Sequence, residues 1–302
     1  MAQSKVLITG GLGHIGSGLF PILSKTHNVT VVDNLMTQRF CSLFGNASKI
    51  EFLDQSFETI EVKELKKYSH IIHLAAITDA ASSFENKQIL EKVNIEQTKI
   101  LIEKTKAANN PHFIFPSSTS IYGAAREEVI ESDHAAIVPQ SPYAESKITI
   151  EKHLHQSGVR YTILRLGTIF GVSPGIRFHT AINKFCYQAT FGKPLSVWKQ
   201  NLKQIRPYLG LQDVYKGFEI VLKKPETIGQ TYNVLTENYS LEEIISMIQR
   251  EMPVEVDLID SPLLNQFSYM VNFDKFKKLG FKPREKLESV ISDTIRLLKG
   301  EG

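Results

Sequence analysis

The chain has 302 residues, 42% hydrophobic and 22% charged, an ordinary globular composition with length for one large or two modest domains. Its 35 basic and 32 acidic side chains are interspersed and leave a formal charge of +3, without the basic block that marks a nucleic-acid or membrane surface, so neither partner is expected. Two cysteines, Cys41 and Cys186, are too few for a disulfide framework, no apolar run approaches the ~18 to 20 residues that cross a bilayer, and Met-Ala-Gln-Ser-Lys leads directly into a strand; a cytoplasmic protein is expected.

Lys5 to Thr9 reads as a buried strand, followed by the turn Gly10-Gly11-Leu12-Gly13-His14-Ile15-Gly16, a helix through about Ser24, and a strand at Val29 to Val32 ending in Asp33-Asn34. The alternation continues with a strand near Ile50 to Leu53, a helix to Tyr68, a strand His70 to Leu74, helices from about Glu85 to Ala108 and a strand His112 to Pro116. A helix over Tyr143 to Gln156 and a strand Tyr161 to Leu166 complete the series. This order predicts an α/β, Rossmann-type, doubly wound parallel sheet, with residues 1–166 as a dinucleotide-binding domain and a returning segment near 205–235. Beyond Gly167, Gly171, Pro174, Gly175, Gly192, Pro194 and Pro207 punctuate short segments, as expected of a smaller C-terminal substrate-binding lobe, mainly 167–302, over the carboxyl edge of the sheet. Ser240-Leu241-Glu242-Glu243 is a capping box opening a helix, and Lys286 to Lys299 is a terminal amphipathic helix.

A helix starting just after Gly13 presents free N–H groups and a positive dipole end to an anion, while glycines let the backbone approach a pyrophosphate. Asp33 closes the next strand, where a carboxylate binds ribose hydroxyls and repels a 2′-phosphate, so NAD is expected over NADP. Arg39 is read as a solvated loop arginine. Asp54, after the third strand, either accepts a hydrogen bond from the adenine amino group or only forms a turn. Tyr143 and Lys147 in Ser-Pro-Tyr-Ala-Glu-Ser-Lys share a helix face, so the ammonium can favour the ionised phenol. Bringing a phenol from pKa ~10 toward neutrality is worth about 4 kcal/mol, which a lysine and a positive nicotinamide could supply together.

These residues resemble the extended short-chain dehydrogenase/reductase family, in its NAD-dependent nucleotide-sugar epimerase and dehydratase branch. Gly10-x-x-Gly13-x-x-Gly16, Val32-Asp33-Asn34-Leu35, His73-Leu74-Ala75-Ala76, Val93-Asn94, Ser117-Ser118-Thr119-Ser120-Ile121-Tyr122-Gly123, Pro142-Tyr143-x-x-x-Lys147 and Arg165-Leu166-x-x-x-x-Gly171 occur in family order along nearly the whole chain. The resemblance implies NAD held by Gly10, Gly13, His14, Ile15, Gly16, Asp33, Asn34 and Asp54, with Leu74, Ala75, Ala76 and Asn94 beside it, and with Tyr143 and Lys147 touching it. It implies a Ser118, Tyr143, Lys147 catalytic set, a nucleotide-sugar substrate met by Thr78, Ser118, Ser120, Thr168, Arg177, Arg206 and Tyr269, and a homodimer. Tyr143 would take a proton from a sugar hydroxyl as hydride leaves the carbon, and Ser118 would bond the oxygen as it becomes a ketone.

Where dehydratases of this branch carry an Asp-Glu pair this chain has Thr119-Ser120, which cannot act as carboxylate acid and base. Ser120 also stands where fucose-synthase-like members have a cysteine. A nucleotide-sugar 4-epimerase working through a transient 4-keto intermediate leads; a net 4-dehydrogenase/reductase uses the same residues, and a non-catalytic NAD-sensing scaffold would be expected to lack the Tyr. The segment usually reading Arg-x-x-Asn has Thr168, and Ser261 to Ser268 lacks the second of two pyrophosphate arginines, of which Arg206 matches the first. Arg177 either replaces the second or is a surface arginine; Tyr269 stacks near substrate or packs. No metal site is expected: His153 and His155 face different directions, His73 belongs to a buried strand, and Cys186 packs. Trp198 and Lys199 line a base pocket or cap a strand.

Overall fold

A computed structural model describes residues 4–79, 83–123, 128–260 and 268–301. Seven parallel strands form the central sheet in the order Gln230–Val234, Tyr161–Leu166, His112–Ser118, His70–His73, Lys5–Thr9, Asn28–Asp33 and Glu51–Asp54. The inner strands are buried on both faces, which is why Lys5–Thr9 and His70–His73 carry apolar runs without polar alternation. On one face Leu19, Phe20 and Leu23 of the helix Gly16–Leu23 pack with Val214, Phe218 and Val221 of the helix Leu211–Lys223. On the other, Leu101 and Ile102 meet Ile150 and Leu154 of the helix Pro142–Ser157. The order reverses beside Lys5–Thr9, and a crevice at such a switch point is where this architecture binds ligands.

Three expected elements differ. The helix reading up to Tyr68 is a 3₁₀ turn Phe57–Thr59 and one helical turn Val62–Leu65, because Ile60 and Glu61 between them are extended. The helices after Glu85 form a continuous rod, Lys87–Glu91, Lys92–Gln97 and Thr98–Ala107, whose middle section is a π-helix. That extra residue turns Asn94 toward Ile77: its Oδ1 accepts the Ile77 N–H at 2.8 Å and its Nδ2 donates to the Ile77 carbonyl at 2.8 Å. The strand expected to stop at Pro116 runs on to Ser118, which carries Ser117 and Ser118 onto the carboxyl edge.

Over that edge a smaller sheet joins Glu237–Ser240, Ile205–Gly210 and Thr168–Phe170. A separate core of Ile182, Phe185, Cys186, Ile244, Ile248, Ile291 and Ile295 lies among the helices Ala181–Thr190, Leu241–Glu251 and Leu287–Lys299. Cys186 is buried there with its thiol pushed up to about 12 by burial, consistent with packing. The capping box is present: the Ser240 hydroxyl accepts the Glu243 N–H at 3.2 Å and Glu243 accepts the Ser240 N–H at 2.7 Å. No helix among the described residues is long and apolar enough to cross a membrane, and none of their His, Cys, Asp and Glu side chains cluster as a metal site.

Candidate active site

A cleft of about 410 Å³ opens at the switch point, lined on one side by Gly10, Gly13, His14, Ile15 and Gly16, on another by Asp33 and Asn34, and by Leu74, Ala75, Ala76 and Thr78. A Cβ on Gly16 would stand 2.4 Å from the Gly11 carbonyl oxygen, so that glycine is demanded by the fold itself. At Gly13, which lines the cleft, such a Cβ would stand 3.3 Å from the Gly10 carbonyl oxygen, a smaller conflict than at Gly16. Asp33 Oδ2 accepts the Leu12 N–H at 3.1 Å and Oδ1 the Leu35 N–H at 3.0 Å, which fixes the carboxylate at the mouth of the cleft. Burial raises its pKa, and those two N–H bonds pull the other way. A glycine cradle at a helix start, answered by a pinned carboxylate, fits a dinucleotide with free ribose hydroxyls.

Not every expected cofactor residue lines this cleft. Asp54 is exposed at the end of its strand, where Gln55 and Phe57 supply the wall. Asn94 lies behind Ile77, holding its backbone and donating to Ser146 Oγ at 3.3 Å. Arg39 is no free solvated side chain: it lines the cleft and its Nη1 donates to the Gly175 carbonyl at 2.9 Å. Asp79 and His179 also line it, and no pattern in the sequence marks either.

Tyr143 and Lys147 stand on the helix Pro142–Ser157, which opens with the Ser141 hydroxyl accepting the Ala144 N–H at 3.2 Å and Pro142 in the first turn, and ends on left-handed Gly158. Lys147 is buried, its Nζ donating to the Pro116 carbonyl at 2.8 Å and sitting 4.7 Å from the Phe115 ring centre and 5.7 Å from that of Tyr143. Burial lowers its pKa to about 8, against the pull of Glu151 one turn further along. Glu151 is buried in a pair with Arg165, whose Nη2 lies 2.7 Å from Oε2, and Arg165 Nη1 donates to the Tyr122 hydroxyl at 2.6 Å. This network was not foreseen; its partners are far apart in sequence.

The Ser118 hydroxyl accepts from the Ser120 N–H at 3.2 Å and from the Ser120 hydroxyl at 2.9 Å. With both lone pairs engaged, its own proton is free to turn toward the Tyr143 phenol, whose pKa Ser118 lowers. Burial raises the Tyr143 pKa, while the Arg177 charge and the Ser118 bond lower it. Beyond Ser118, Tyr269 is buried beneath Arg206 at 5.6 Å from ring centre to guanidinium carbon; burial raises its pKa, and Arg206 and Thr119 lower it. Thr168 lies on the small sheet opposite Tyr208, two residues from Arg206. Arg177 is in the wall of the cleft, not on the outer surface. The positions expected to carry the second arginine fall mostly within 261–267, outside the described residues. Trp198 ends the strand Leu195–Trp198, and Lys199 pairs with Asp260 at 3.5 Å.

Fold and cleft together define a dinucleotide-dependent enzyme, with Ser118, Tyr143 and Lys147 outside the residues that line the cleft. The family model described as NAD dependent epimerase/dehydratase family matches residues 6–234, and the chain belongs to that family. A Bacillus subtilis (strain 168) protein named as an uncharacterized UDP-glucose epimerase is 32% identical over 263 residues, 81% of each chain. An Arabidopsis thaliana trifunctional UDP-glucose 4,6-dehydratase, 3,5-epimerase and reductase is 28% identical over 321 residues, 96% of this chain, which spans only 46% of that protein's length. Among solved structures, the UDP-glucuronic acid 4-epimerase of Bacillus cereus, in complex with UDP-glucuronic acid and NAD, superposes with a TM-score of 0.88 at 24% identity, covering 97% of this chain and 99% of that one. The cofactor is NAD.

Proposed function

We propose that the protein is a nucleotide-sugar 4-epimerase that oxidises and re-reduces C4 of one sugar through a transient 4-keto intermediate, with a uridine diphosphate sugar as substrate. The observation that carries the reading is the Tyr143 ring 5.7 Å from the buried Lys147 ammonium, with hydroxyls, not carboxylates, at Ser118, Thr119 and Ser120. Gly10, Gly13, His14, Ile15 and Gly16 hold the NAD pyrophosphate, Asp33 and Asn34 its adenosine ribose, and Leu74, Ala75 and Ala76 flank it. When bound, NAD supplies the acceptor and then the donor of hydride. Tyr143 takes the proton of the C4 hydroxyl and later returns it, Ser118 donates to the forming carbonyl oxygen, and Lys147 keeps a positive charge behind the phenol. Thr78, Ser120, Thr168, Arg177, Arg206 and Tyr269 form the substrate side, with 167–302 as the main substrate lobe apart from the returning segment near 205–235.

The uridine assignment rests on the names of the B. subtilis and B. cereus relatives. Oxidation at one carbon also follows from the residues themselves, since β-elimination needs a carboxylate pair that Thr119 and Ser120 do not provide. The reading extends to a homodimer in the cytoplasm: Ile100 lies exposed on the rod Lys87–Ala107, and Cys41 and Cys186 are both free thiols. Sedimentation of the purified protein tests the dimer. For the reaction, the cofactor released on denaturation is identified and the intact protein is incubated with UDP-, GDP-, CDP- and dTDP-sugars without added NAD. Formation of a C4 epimer supports the proposal. A released keto sugar with accumulating NADH replaces it by net oxidoreduction, and inertness toward every sugar leaves an NAD-binding scaffold.

A further inference from the structure

Glu151 is a carboxylate with 1% exposure, one turn beyond Lys147 and two beyond Tyr143 on the helix Pro142–Ser157, and the proton transfer described above makes no use of it. Its partners all come from the sheet. Oε1 accepts the Ser117 hydroxyl at 2.5 Å, both oxygens accept the Arg165 Nε–H at 3.2 Å, and Oε2 accepts from Nη2 at 2.7 Å. Ser117 and Arg165 stand directly opposite each other on paired strands, so one carboxylate grips a whole cross-strand pair. Arg165 Nη1 is engaged as well, donating to the Tyr122 hydroxyl and the Glu131 carbonyl, and Tyr122 donates in turn to Asn233 Oδ1 at 2.8 Å.

The place of this grip gives it a use. The strand His112–Ser118 pairs with His70–His73 over His112 to Ile114 and with Tyr161–Leu166 over Phe113 to Ser118, so Pro116, Ser117 and Ser118 run on with a ladder partner on one side. The helix supplies the second support at two successive residues: Lys147 Nζ donates to the Pro116 carbonyl and, one turn later, Glu151 accepts from the Ser117 hydroxyl. Ser118 is next in the chain. A buried ion pair contributes little net stability compared with an apolar pair of the same shape, and its best-attested use is to hold one arrangement against its alternatives. The arrangement held here is that of the strand end bearing Ser118 against the helix bearing Tyr143 and Lys147.

We propose that Glu151 is a positioning residue for the reacting face: by gripping Ser117 and Arg165 together it fixes the strand end that carries Ser118 against the helix that carries Tyr143 and Lys147. The inference rests on the reading of Tyr143 as the base. Hydrogen bonds weaken steeply as their distance and angle degrade, so a strand end released from the helix supports the phenolate less well and leaves Tyr143 harder to ionise. The charged and titratable groups around the carboxylate are Arg165, Tyr122 and Tyr161 from the sheet side and Lys147 and His155 on its own helix, while Ser118, Lys147 and Arg177 bear on Tyr143. Ser117→Ala alters none of these charges and leaves the Glu151–Arg165 pair in place; it removes only the tie to the strand end.

The test follows tyrosinate ultraviolet absorbance against pH in NAD-loaded protein without substrate, for wild type, Ser117→Ala, Ser117→Thr and Glu151→Gln, each minus its own Tyr143→Phe counterpart. Ser117→Ala is expected to titrate Tyr143 about half a pH unit higher or more, about threefold in the ionised fraction, and to lower kcat at neutral pH by a similar factor with KM unchanged. Ser117→Thr, which keeps the hydroxyl, restores both, and Glu151→Gln moves the titration further in the same direction. An unmoved Tyr143 titration in Ser117→Ala overturns the inference whatever Glu151→Gln does, including a failure to fold, and reduces the network to a tie seen only in the urea midpoint. A shift that Ser117→Thr does not restore overturns it as well, since packing and not the hydroxyl bond would then be responsible. Because that titration needs no substrate, a restored shift in protein inert toward every sugar would sink the epimerase proposal alone, and C4 epimerisation with an unmoved titration would sink this one alone.

Discussion

The turn from Gly10 to Gly16 and the face made by Ser118, Tyr143 and Lys147 lie along the same carboxyl edge of one sheet, but they use the chain in opposite ways. The turn works by what it lacks, presenting bare backbone to an anion. The face works by side chains from two segments that hold one another in place: the helix of Tyr143 and Lys147, and the strand end where Pro116 accepts from Lys147 and Ser120 donates to Ser118. Changes to the face should therefore alter turnover and leave the cofactor bound, and changes to the turn should do the reverse. The largest expected effect tests the first half. Tyr143→Phe removes only a hydroxyl from a half-buried ring, so it should fold and retain NAD while kcat falls by about 10²- to 10⁴-fold. Stopped assays for epimer and NAD content after gel filtration measure the two separately, and loss of NAD together with turnover would erase the contrast.

The same contrast explains what was legible in the sequence. Backbone work leaves a local signature, because strand, glycine turn, helix and the answering Asp33 fall within about 30 residues of βαβ geometry. Gly10 to Asp33 could be read directly, as could a helix over Tyr143 to Gln156, which the structure extends to Pro142–Ser157. Long-range side-chain work leaves none. Arg39 meeting Gly175 and Glu151 meeting Arg165 join residues that only the folded topology brings together. The π-turn at Lys92–Gln97 escaped for a related reason: its period is helical to the eye, and the Ile77 backbone that rewards the extra residue lies on another segment.

Within the cofactor region, Asp33→Asn should weaken NAD binding by about tenfold to hundredfold, the range for one charge-assisted hydrogen bond set. An amide oxygen cannot replace both carboxylate oxygens that now accept the Leu12 and Leu35 N–H groups, so one of those donors loses its partner as well. Isothermal titration on stripped protein measures it, and unchanged affinity would remove Asp33 from the ribose. Gly13→Ala and Gly16→Ala separate ligand space from fold space. Alanine at Gly16 meets the Gly11 carbonyl oxygen and should cost about 1 to 3 kcal/mol of stability, seen in urea melts of the stripped protein. Alanine at Gly13, with only the 3.3 Å approach to the Gly10 carbonyl oxygen, should cost less stability than alanine at Gly16 and weaken NAD. Equal destabilisation by both would mean that Gly13 serves the fold alone.

The smallest effect is set by pH and reaches the cradle from beneath. His73 is buried between the strand that leads into the glycine turn and the helix after the π-turn: Nδ1 lies 2.7 Å from Thr9 Oγ1 and Nε2 lies 3.0 Å from Thr98 Oγ1. The Thr98 hydroxyl donates to the Val93 carbonyl and the Thr9 hydroxyl accepts from the Ala75 N–H, so the network is satisfied by a neutral imidazole with its proton on Nε2 and Thr9 donating to Nδ1. A second ring proton would set donor against donor, and burial holds the pKa down to about 3. Its folded value lies below the unfolded ~6.5, so the unfolded chain binds the extra proton first and stability is full above pH ~6.5, falling as pH drops toward the folded value. Between pH 7 and pH 5 this one residue should cost about 1 to 2 kcal/mol, and His73→Gln should remove that share of the pH dependence of the urea midpoint, the rest staying with His14, His70, His112 and His179, which burial also holds low. The Tyr143 face carries no such acid penalty, because its phenol is already neutral there and Lys147, with a pKa of about 8, is already charged. Acid should thus loosen the segment that bears Ala75 and, with it, NAD retention, before it changes any protonation state at the reacting carbon. An acid-induced fall in turnover with NAD still fully retained would reverse that order.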